Sequence, residues 1–198
     1  CACDARGQSP APNRDALNQA ARKLSAVARM SSLVLGIDVG LDGALAALHG
    51  DEVRALADLP TVTVGSARGK RREYHVPELA DLVRSVLASV HGGTEVLALV
   101  ERQQAMPAQG STSGFRLGCG FGIVRGVLGA LRVAVEIVEP TAWKRGVGLP
   151  QGSDKGASIE LASRLYPGAE IGRRDGRAEA LLIARFGQSR VPRAREVA

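Results

Sequence analysis

Four carboxylates stand out in this sequence. Two lie at the ends of apolar runs, where a negative charge is costly, and two are separated by one helical turn. Asp38 follows a short apolar run, and Glu101 ends a second apolar run. Asp175 and Glu179 are four residues apart at the start of an amphipathic pattern. A carboxylate in or at the end of a buried strand is costly to desolvate unless a cation balances it. These four residues are therefore candidate metal ligands.

The residue types also indicate which metal and which reaction. Four clustered carboxylates would repel one another and take up protons unless cations balanced them. Oxygen donors without Cys or His select hard ions, Mg²⁺ or Mn²⁺. Two such ions can bind a scissile phosphate, generate the attacking hydroxide and stabilise the leaving oxygen. The pattern therefore predicts hydrolysis of phosphodiesters with two ions.

The carboxylates also have ordinary structural interpretations. An Asp at the end of a strand can simply cap a turn, and acidic residues favour the first turn of a helix. Two features favour the functional interpretation of Asp175 and Glu179. Their spacing is four rather than the three of a capping box, and Leu182 and Phe186 continue the same helical stripe.

The elements that must position these residues are indicated by periodicity. Strands are predicted at 33–37, 44–49, 52–59, 95–101 and 132–138, of which the first three form an antiparallel meander. Helices are predicted at 77–90, 114–131, 140–147, 153–165 and 175–186, and Ser153 is predicted to cap the fourth of them. The dipeptide at Asp42 and Gly43 predicts a type I′ hairpin turn between the first two strands.

Charge favours a polyanionic partner. The net charge is +6, carried by 22 Arg and 4 Lys against 20 acidic residues, and Arg suits bidentate phosphate contacts. The densest basic run contains Arg68, Lys70, Arg71 and Arg72, which form either a solvated loop or a phosphate contact. Lys155 opposes the macrodipole at a predicted helix N-terminus, a placement that anion binding would explain.

Glycines recur every four residues in the second predicted helix, at Gly118, Gly122 and Gly126. Each glycine costs about 1 kcal/mol of helix propensity. Close approach of another helix would offset that cost, which favours a packing or dimer surface. Packing of this helix on its own sheet is the alternative.

The 198 residues divide into three predicted parts. Residues 1–31 form a disordered or weakly helical extension, and we hypothesise that Met30 is the natural start. Residues 32–188 form one domain, and 189–198 form a basic tail. No uncharged run approaches the roughly 18 residues that span a bilayer. Three cysteines without metal-ligand spacing favour a cytoplasmic location, with Cys119 as a small core residue.

The order of elements and motifs resembles the ribonuclease H-like superfamily, and within it the RuvC-type Holliday junction resolvases, especially phage-like members. The residues 36–40, Gly-Ile-Asp-Val-Gly, resemble the family's first-strand motif. The residues 100–103, Val-Glu-Arg-Gln, resemble its second motif, and 175–181 resemble its closing acidic helix. The resemblance implies an α/β fold with a mixed five-stranded sheet, three antiparallel strands then two parallel, and helices on both faces.

The resemblance also implies a function. The expected protein is a homodimeric, Mg²⁺-dependent endonuclease that makes paired nicks in four-way DNA junctions. Its metal ligands would be the four carboxylates named above. Lys144 and Lys155 match family lysines that contact DNA near the active site, and residues 115–126 match the helix used at the dimer interface.

Two departures and three rival functions accompany the resemblance. Many family members stack an aromatic on the junction at the position of Gln104, a role that Met106 or Phe115 would have to take. The closing acids are spaced by four rather than three. The rivals are another ribonuclease H-like nuclease acting on general DNA or RNA, an actin-like phosphotransferase, and a junction-binding protein without catalysis.

Overall fold

The structure is a computed structural model that describes residues 32–66, 69–104, 110–150, 152–172 and 175–191. The predicted N-terminal extension and most of the predicted basic tail lie outside these ranges, as do Arg68 and Met106. For Lys155, only the backbone is described.

A mixed five-stranded sheet forms the centre of the molecule. Its strands are β1 (Ser32–Asp38), β2 (Ala44–His49), β3 (Glu52–Asp58), β6 (Glu95–Glu101) and β7 (Ala134–Val138). They lie in the order β3-β2-β1-β6-β7. β2 is antiparallel to both β1 and β3, whereas β6 runs parallel to β1 and β7 parallel to β6. The predicted α/β class and mixed five-stranded sheet are confirmed.

Helices cover both faces of the sheet. They are α1 (Val76–Ala88), α2 (Ser111–Ala130), α3 (Pro140–Gly146), α4 (Lys155–Leu165) and α5 (Asp175–Gly187). Residues of α1 and α2 pack with one sheet face in a first core cluster. Residues of α3, α4 and α5 pack with the opposite face in a second core cluster. Among the described helices, none is long and apolar enough to cross a membrane.

A second, two-stranded sheet was not predicted. β4 (Thr61–Ser66) and β5 (Gly69–Tyr74) form an antiparallel hairpin in the segment that contains the basic run. The residues of β5 are exposed except for its last, Tyr74, which is partly buried. β5 therefore lacks the apolar alternation from which a strand can be recognised in a sequence, whereas residues 61–64 of β4 do alternate Thr and Val.

Three local predictions are wrong. Neither Asp42 nor Gly43 has the positive φ that a type I′ turn requires, because the connection between β1 and β2 is five residues long. The cap of α4 is Asp154, whose carboxylate accepts a hydrogen bond from the Ala157 N–H at 2.9 Å, rather than Ser153. Cys119 is exposed on α2 instead of lying in the core.

Helix α5 lies unusually close to the central strand. At Gly36 of β1, a Cβ atom would lie 2.9 Å from the Cα of Ala184 and closer still to the Ala180 carbonyl oxygen. No larger residue fits at this position without displacing the helix backbone. Gly36 therefore sets the distance between α5 and β1, and through it the position of Glu179 relative to Asp38.

We predict that Gly36→Ala destabilises the protein by about 2 kcal/mol or more, because overpacking against backbone atoms cannot be relieved by a side-chain rotation. Thermal or urea unfolding measures the change. Gly65→Ala is the matched control, since nothing lies within 4 Å of a Cβ there and its effect should be within about 0.5 kcal/mol. Equal effects of the two substitutions would contradict the close-packing interpretation.

Candidate metal centre

Asp38, Glu101 and Glu179 come together at one edge of the sheet. Each contributes an oxygen, and the three ligand atoms lie within 4.8 Å of one another. Asp38 and Glu101 meet because β1 and β6 are parallel and in register up to the pair of Ile37 and Val100, so both strands end side by side. Each of the three residues is partly buried.

Helix α5 supplies the third carboxylate from above the strand ends. A Cβ at Gly176 would lie 2.5 Å from the Asp42 carbonyl oxygen and 3.4 Å from Asp38 Oδ2, so the first turn of α5 packs directly on the turn after β1. Asp175 begins this helix, one turn before Glu179. The described group of three ligand atoms does not include Asp175, whose role as a ligand stays a prediction.

Two adjacent residues of α3 contact two of the carboxylates. The indole Nε1–H of Trp143, a fully buried residue, donates to Glu101 Oε2 at 3.2 Å. The Lys144 ammonium lies 3.0 Å from Glu179 Oε1 and 5.1 Å from the centre of the Trp143 ring. The buried Ser158 hydroxyl of α4 also donates to Glu179 Oε1, at 3.4 Å. The sequence singled out Lys144 but gave no signal for Ser158 or for the indole contact.

The pKa of Glu101 is raised mainly by burial. Burial and, second to it, the negative charge of Glu179 raise the pKa of Glu101 from its ordinary value near 4.5 to about 7. Lys144 and the Trp143 hydrogen bond oppose this shift of the pKa without overcoming it. In the absence of a cation, the cluster therefore retains a proton near neutral pH.

The β4–β5 hairpin reaches the same edge of the sheet. Its Arg72 donates to Asp42 Oδ1 at 2.8 Å and to the Leu41 carbonyl oxygen, both in the turn after β1. Burial, together with the negative charge of Asp38, raises the pKa of Tyr74 above its usual range. The hairpin thus fixes the turn that follows Asp38, and sequence reasoning did not anticipate this role for Arg72.

The hairpin also forms one side of an open groove, which Arg71 and Arg72 line. Lys70 and Arg71 are exposed on β5, where Arg71 pairs with Glu73. The groove has a volume of about 580 Å³ and lies between the hairpin, the β1–β2 turn and α2. Its lining includes Arg71, Arg72, Arg116 and Phe115, and Phe115 is 74% exposed. A positively charged groove with an exposed aromatic suits a nucleic acid strand.

The donor set fits a hard divalent cation. The described cluster contains three carboxylates and neither Cys nor His, and carboxylate oxygens are the ligands that Mg²⁺ and Mn²⁺ prefer. The raised pKa of Glu101 is consistent with a site that lacks sufficient positive charge by itself. Asp38, Glu101 and Glu179 are thus the residues that would hold such an ion.

No family model and no curated protein sequence matches this chain. Solved structures do match. The chain is similar to Thermus thermophilus RuvC in complex with a Holliday junction substrate, with a TM-score of 0.53 and 18% identity over 80% of this chain and 96% of that one. A second T. thermophilus RuvC structure matches with a TM-score of 0.48, the same identity and the same coverage. The yeast mitochondrial Holliday junction resolvase matches with a TM-score of 0.38 and 14% identity over 92% of this chain and 87% of that one.

The match to the junction-bound RuvC extends over nearly the whole of that protein and shows the fold. This chain therefore has the fold of RuvC, as the resemblance of its motifs implied. In this chain the sheet and helix α5 together position the three converging carboxylates.

Protonation of Glu101 predicts a pH dependence for the stability of the metal-free protein. Between about pH 4.5 and 7 the unfolded chain ionises this residue while the folded protein keeps it protonated, so stability falls as pH rises and levels off above 7. Glu101→Gln removes this contribution. The variant should be more stable than the parent by about 2 kcal/mol at pH 8 in EDTA, a value discounted for partial exposure, and nearly equal at pH 4. Thermal unfolding across this range measures both, and parallel curves would contradict the prediction.

Proposed function

We propose that this chain is a structure-selective endonuclease that resolves four-way DNA junctions by Mg²⁺-dependent hydrolysis of phosphodiesters, making paired nicks. One observation carries the proposal. Asp38, Glu101 and Glu179 converge within 4.8 Å in a chain that shares its fold with nearly all of a RuvC bound to a Holliday junction substrate. Mn²⁺ is an alternative ion, and two ions are expected.

The residues of this chain have distinct roles in the proposed reaction. Asp38, Glu101 and Glu179 hold the cation, with Asp175 as a fourth ligand. When bound, Mg²⁺ supplies Lewis acidity toward phosphoryl oxygens and water. Lys144 places a positive charge beside Glu179, where it balances the carboxylates and attracts a phosphate.

DNA binding is proposed at the basic residues around the groove. Lys70 and Arg71 present exposed cations on β5, and Lys155 and Arg68 complete the set that the sequence indicates. Arg72 already pairs with Asp42, so we expect it to contribute positive charge to the groove rather than a direct contact to a phosphate. Phe115 at the start of α2 is the described aromatic available for stacking on a base.

A general ribonuclease H-like nuclease remains the closest rival, because the same carboxylates serve any phosphodiester. Substrate choice separates the two functions. Labelled four-way junction, linear duplex and RNA–DNA hybrid are incubated with the protein and Mg²⁺. Symmetric paired nicks in the junction alone support resolution, whereas equal cleavage of all three supports the rival. An actin-like phosphotransferase would hydrolyse or transfer phosphate from ATP and leave the DNA uncut.

We predict that Asp38→Asn reduces junction cleavage by at least about a thousandfold while junction binding changes little, because it removes a metal-binding oxygen without removing a DNA contact. Gel electrophoresis of nicked products and a binding titration in Ca²⁺ measure the two effects. Asp81→Asn, on the exposed face of α1, is the matched control and should cleave like the parent. If Asp38→Asn cleaves normally, the carboxylate cluster is not the catalytic centre.

A homodimer is proposed through the outer face of α2. A Cβ placed on Gly118, Gly122 or Gly126 would meet nothing within 4 Å, so this side of the helix faces away from the sheet and leaves room for close approach. Gly120 and Val124 are buried on the opposite side. The glycine face therefore does not serve packing on the described sheet, which favours the dimer surface of the two alternatives.

We predict that Cys119 crosslinks two copies, because it is exposed on α2 next to Gly118, at the border between the glycine face and the groove. Cys1→Ser with Cys3→Ser leaves Cys119 as the only thiol among the three cysteines of the chain. A short bis-maleimide should convert this protein to a covalent dimer, and adding Cys119→Ser should abolish the product. Sedimentation as a monomer, with no crosslinked product, would contradict the proposed dimer.

A further inference from the structure

We propose that Trp143 is a positioning residue for Glu101, and that its indole N–H fixes the orientation in which this carboxylate binds the cation. The inference rests on the proposed metal-dependent function and assigns a task to a fully buried residue. It starts from the hydrogen bond between Trp143 Nε1 and Glu101 Oε2 at 3.2 Å.

Because the indole of Trp143 is fully buried, its N–H cannot donate to solvent. Trp143 is fully buried in the core cluster on the α5 face of the sheet, and it is the only tryptophan in the chain. A buried indole N–H requires an acceptor, because leaving it unpaired costs about 1–3 kcal/mol. A Phe or Leu would fill the same core without that requirement. The polar group is therefore explained by its acceptor, Glu101.

The backbone holds donor and acceptor in a fixed relation. The residue after Glu101, Arg102, donates its N–H to the Val138 carbonyl oxygen at 2.8 Å, and its side chain pairs with Glu139. The N–H of Trp143 in turn donates to the Glu139 carbonyl oxygen at 3.2 Å. The ends of β6 and β7 and the start of α3 are thus linked by three contacts. The backbone segments that carry the indole and the Glu101 carboxylate are therefore held together, and burial of the ring restricts its rotation.

The next residue of the same helix restrains a second carboxylate. Lys144 pairs with Glu179 at 3.0 Å while its ammonium lies over the Trp143 ring. Two adjacent side chains therefore orient carboxylates that come from β6 and from α5. Like charges at this distance favour rotation of the carboxylates away from one another unless donors restrain them. Loss of the indole N–H should free Glu101 to rotate and should weaken cation binding rather than DNA binding.

The test compares full-length parent protein with Trp143→Phe, which keeps an aromatic ring in the core and removes the donor together with part of the ring volume. Isothermal titration with Mn²⁺ should show affinity weakened about tenfold, as for other residues that orient a metal ligand. Junction binding in EDTA should be unchanged. Tyr166→Phe is the matched control, because it removes a polar atom from a buried aromatic of the same core cluster and should leave Mn²⁺ affinity at the parent value.

A double-mutant cycle distinguishes positioning from a general loss of structure. In a Glu101→Gln background, Trp143→Phe should have little further effect on Mn²⁺ affinity, since the two residues act as one unit. An undiminished effect in that background would overturn the inference, as would a Trp143→Phe protein that binds Mn²⁺ like the parent.

Fluorescence of the single tryptophan supplies a second measurement that does not depend on how well Trp143→Phe folds. Mg²⁺ should change the Trp143 emission of the parent and leave that of Glu101→Gln unchanged, and identical responses would overturn the inference.

Junction cleavage by the parent distinguishes failure of this inference from failure of the proposed function. A parent that cleaves while Trp143→Phe binds Mn²⁺ normally refutes positioning alone, and a parent that neither binds Mn²⁺ nor cleaves refutes both.

Discussion

The close approach of three carboxylates is the constraint on which the arrangement of this molecule depends. Asp38, Glu101 and Glu179 come from three different elements, and their ligand atoms lie within 4.8 Å of one another. Neither a strand edge nor a helix alone would bring such charges together, because their repulsion opposes any flexible arrangement. The parallel pairing of β1 with β6 and the packing of α5 impose the proximity through the backbone. The raised pKa of Glu101 results first from its burial at this site and second from the negative charge of Glu179.

A short helix contributes more to the site than its seven residues suggest. α3 begins directly after β7 and presents an indole N–H to one carboxylate and an ammonium to another. A neutral donor and a cation act differently. The N–H restricts the rotation of Glu101 without adding charge, whereas Lys144 lowers the electrostatic repulsion at Glu179. With only one cation, Lys144, paired to one of the three carboxylates, the cluster can still accept a further positive charge.

The sequence indicates the framework of the site better than its supporting contacts. Asp38 and Glu101 could be recognised because a charge in an apolar strand conflicts with its surroundings, and Glu179 because helical spacing placed it on a defined stripe. The β4–β5 hairpin was missed because the exposed basic residues of β5 carry no apolar alternation, although Thr and Val alternate at the start of β4. The exposure of Cys119 could not be predicted either, because α2 is apolar on several faces. The contact between Trp143 and Glu101 spans 42 residues and depends on tertiary structure.

Helix α5 meets the sheet through glycines along its whole length. Gly176 packs on the turn after β1, Gly36 of the strand receives the middle of the helix, and a Cβ at Gly187 would lie 2.5 Å from Leu99 Cδ1. Contacts at both ends and in the middle define the height and the tilt of the helix together, so sliding or tilting would bring backbone atoms into collision. Any adjustment of the proposed site to ions of different radius would then come from side-chain torsions. Glutamate, with one more rotatable bond than aspartate, offers that freedom at two of the three positions of the cluster.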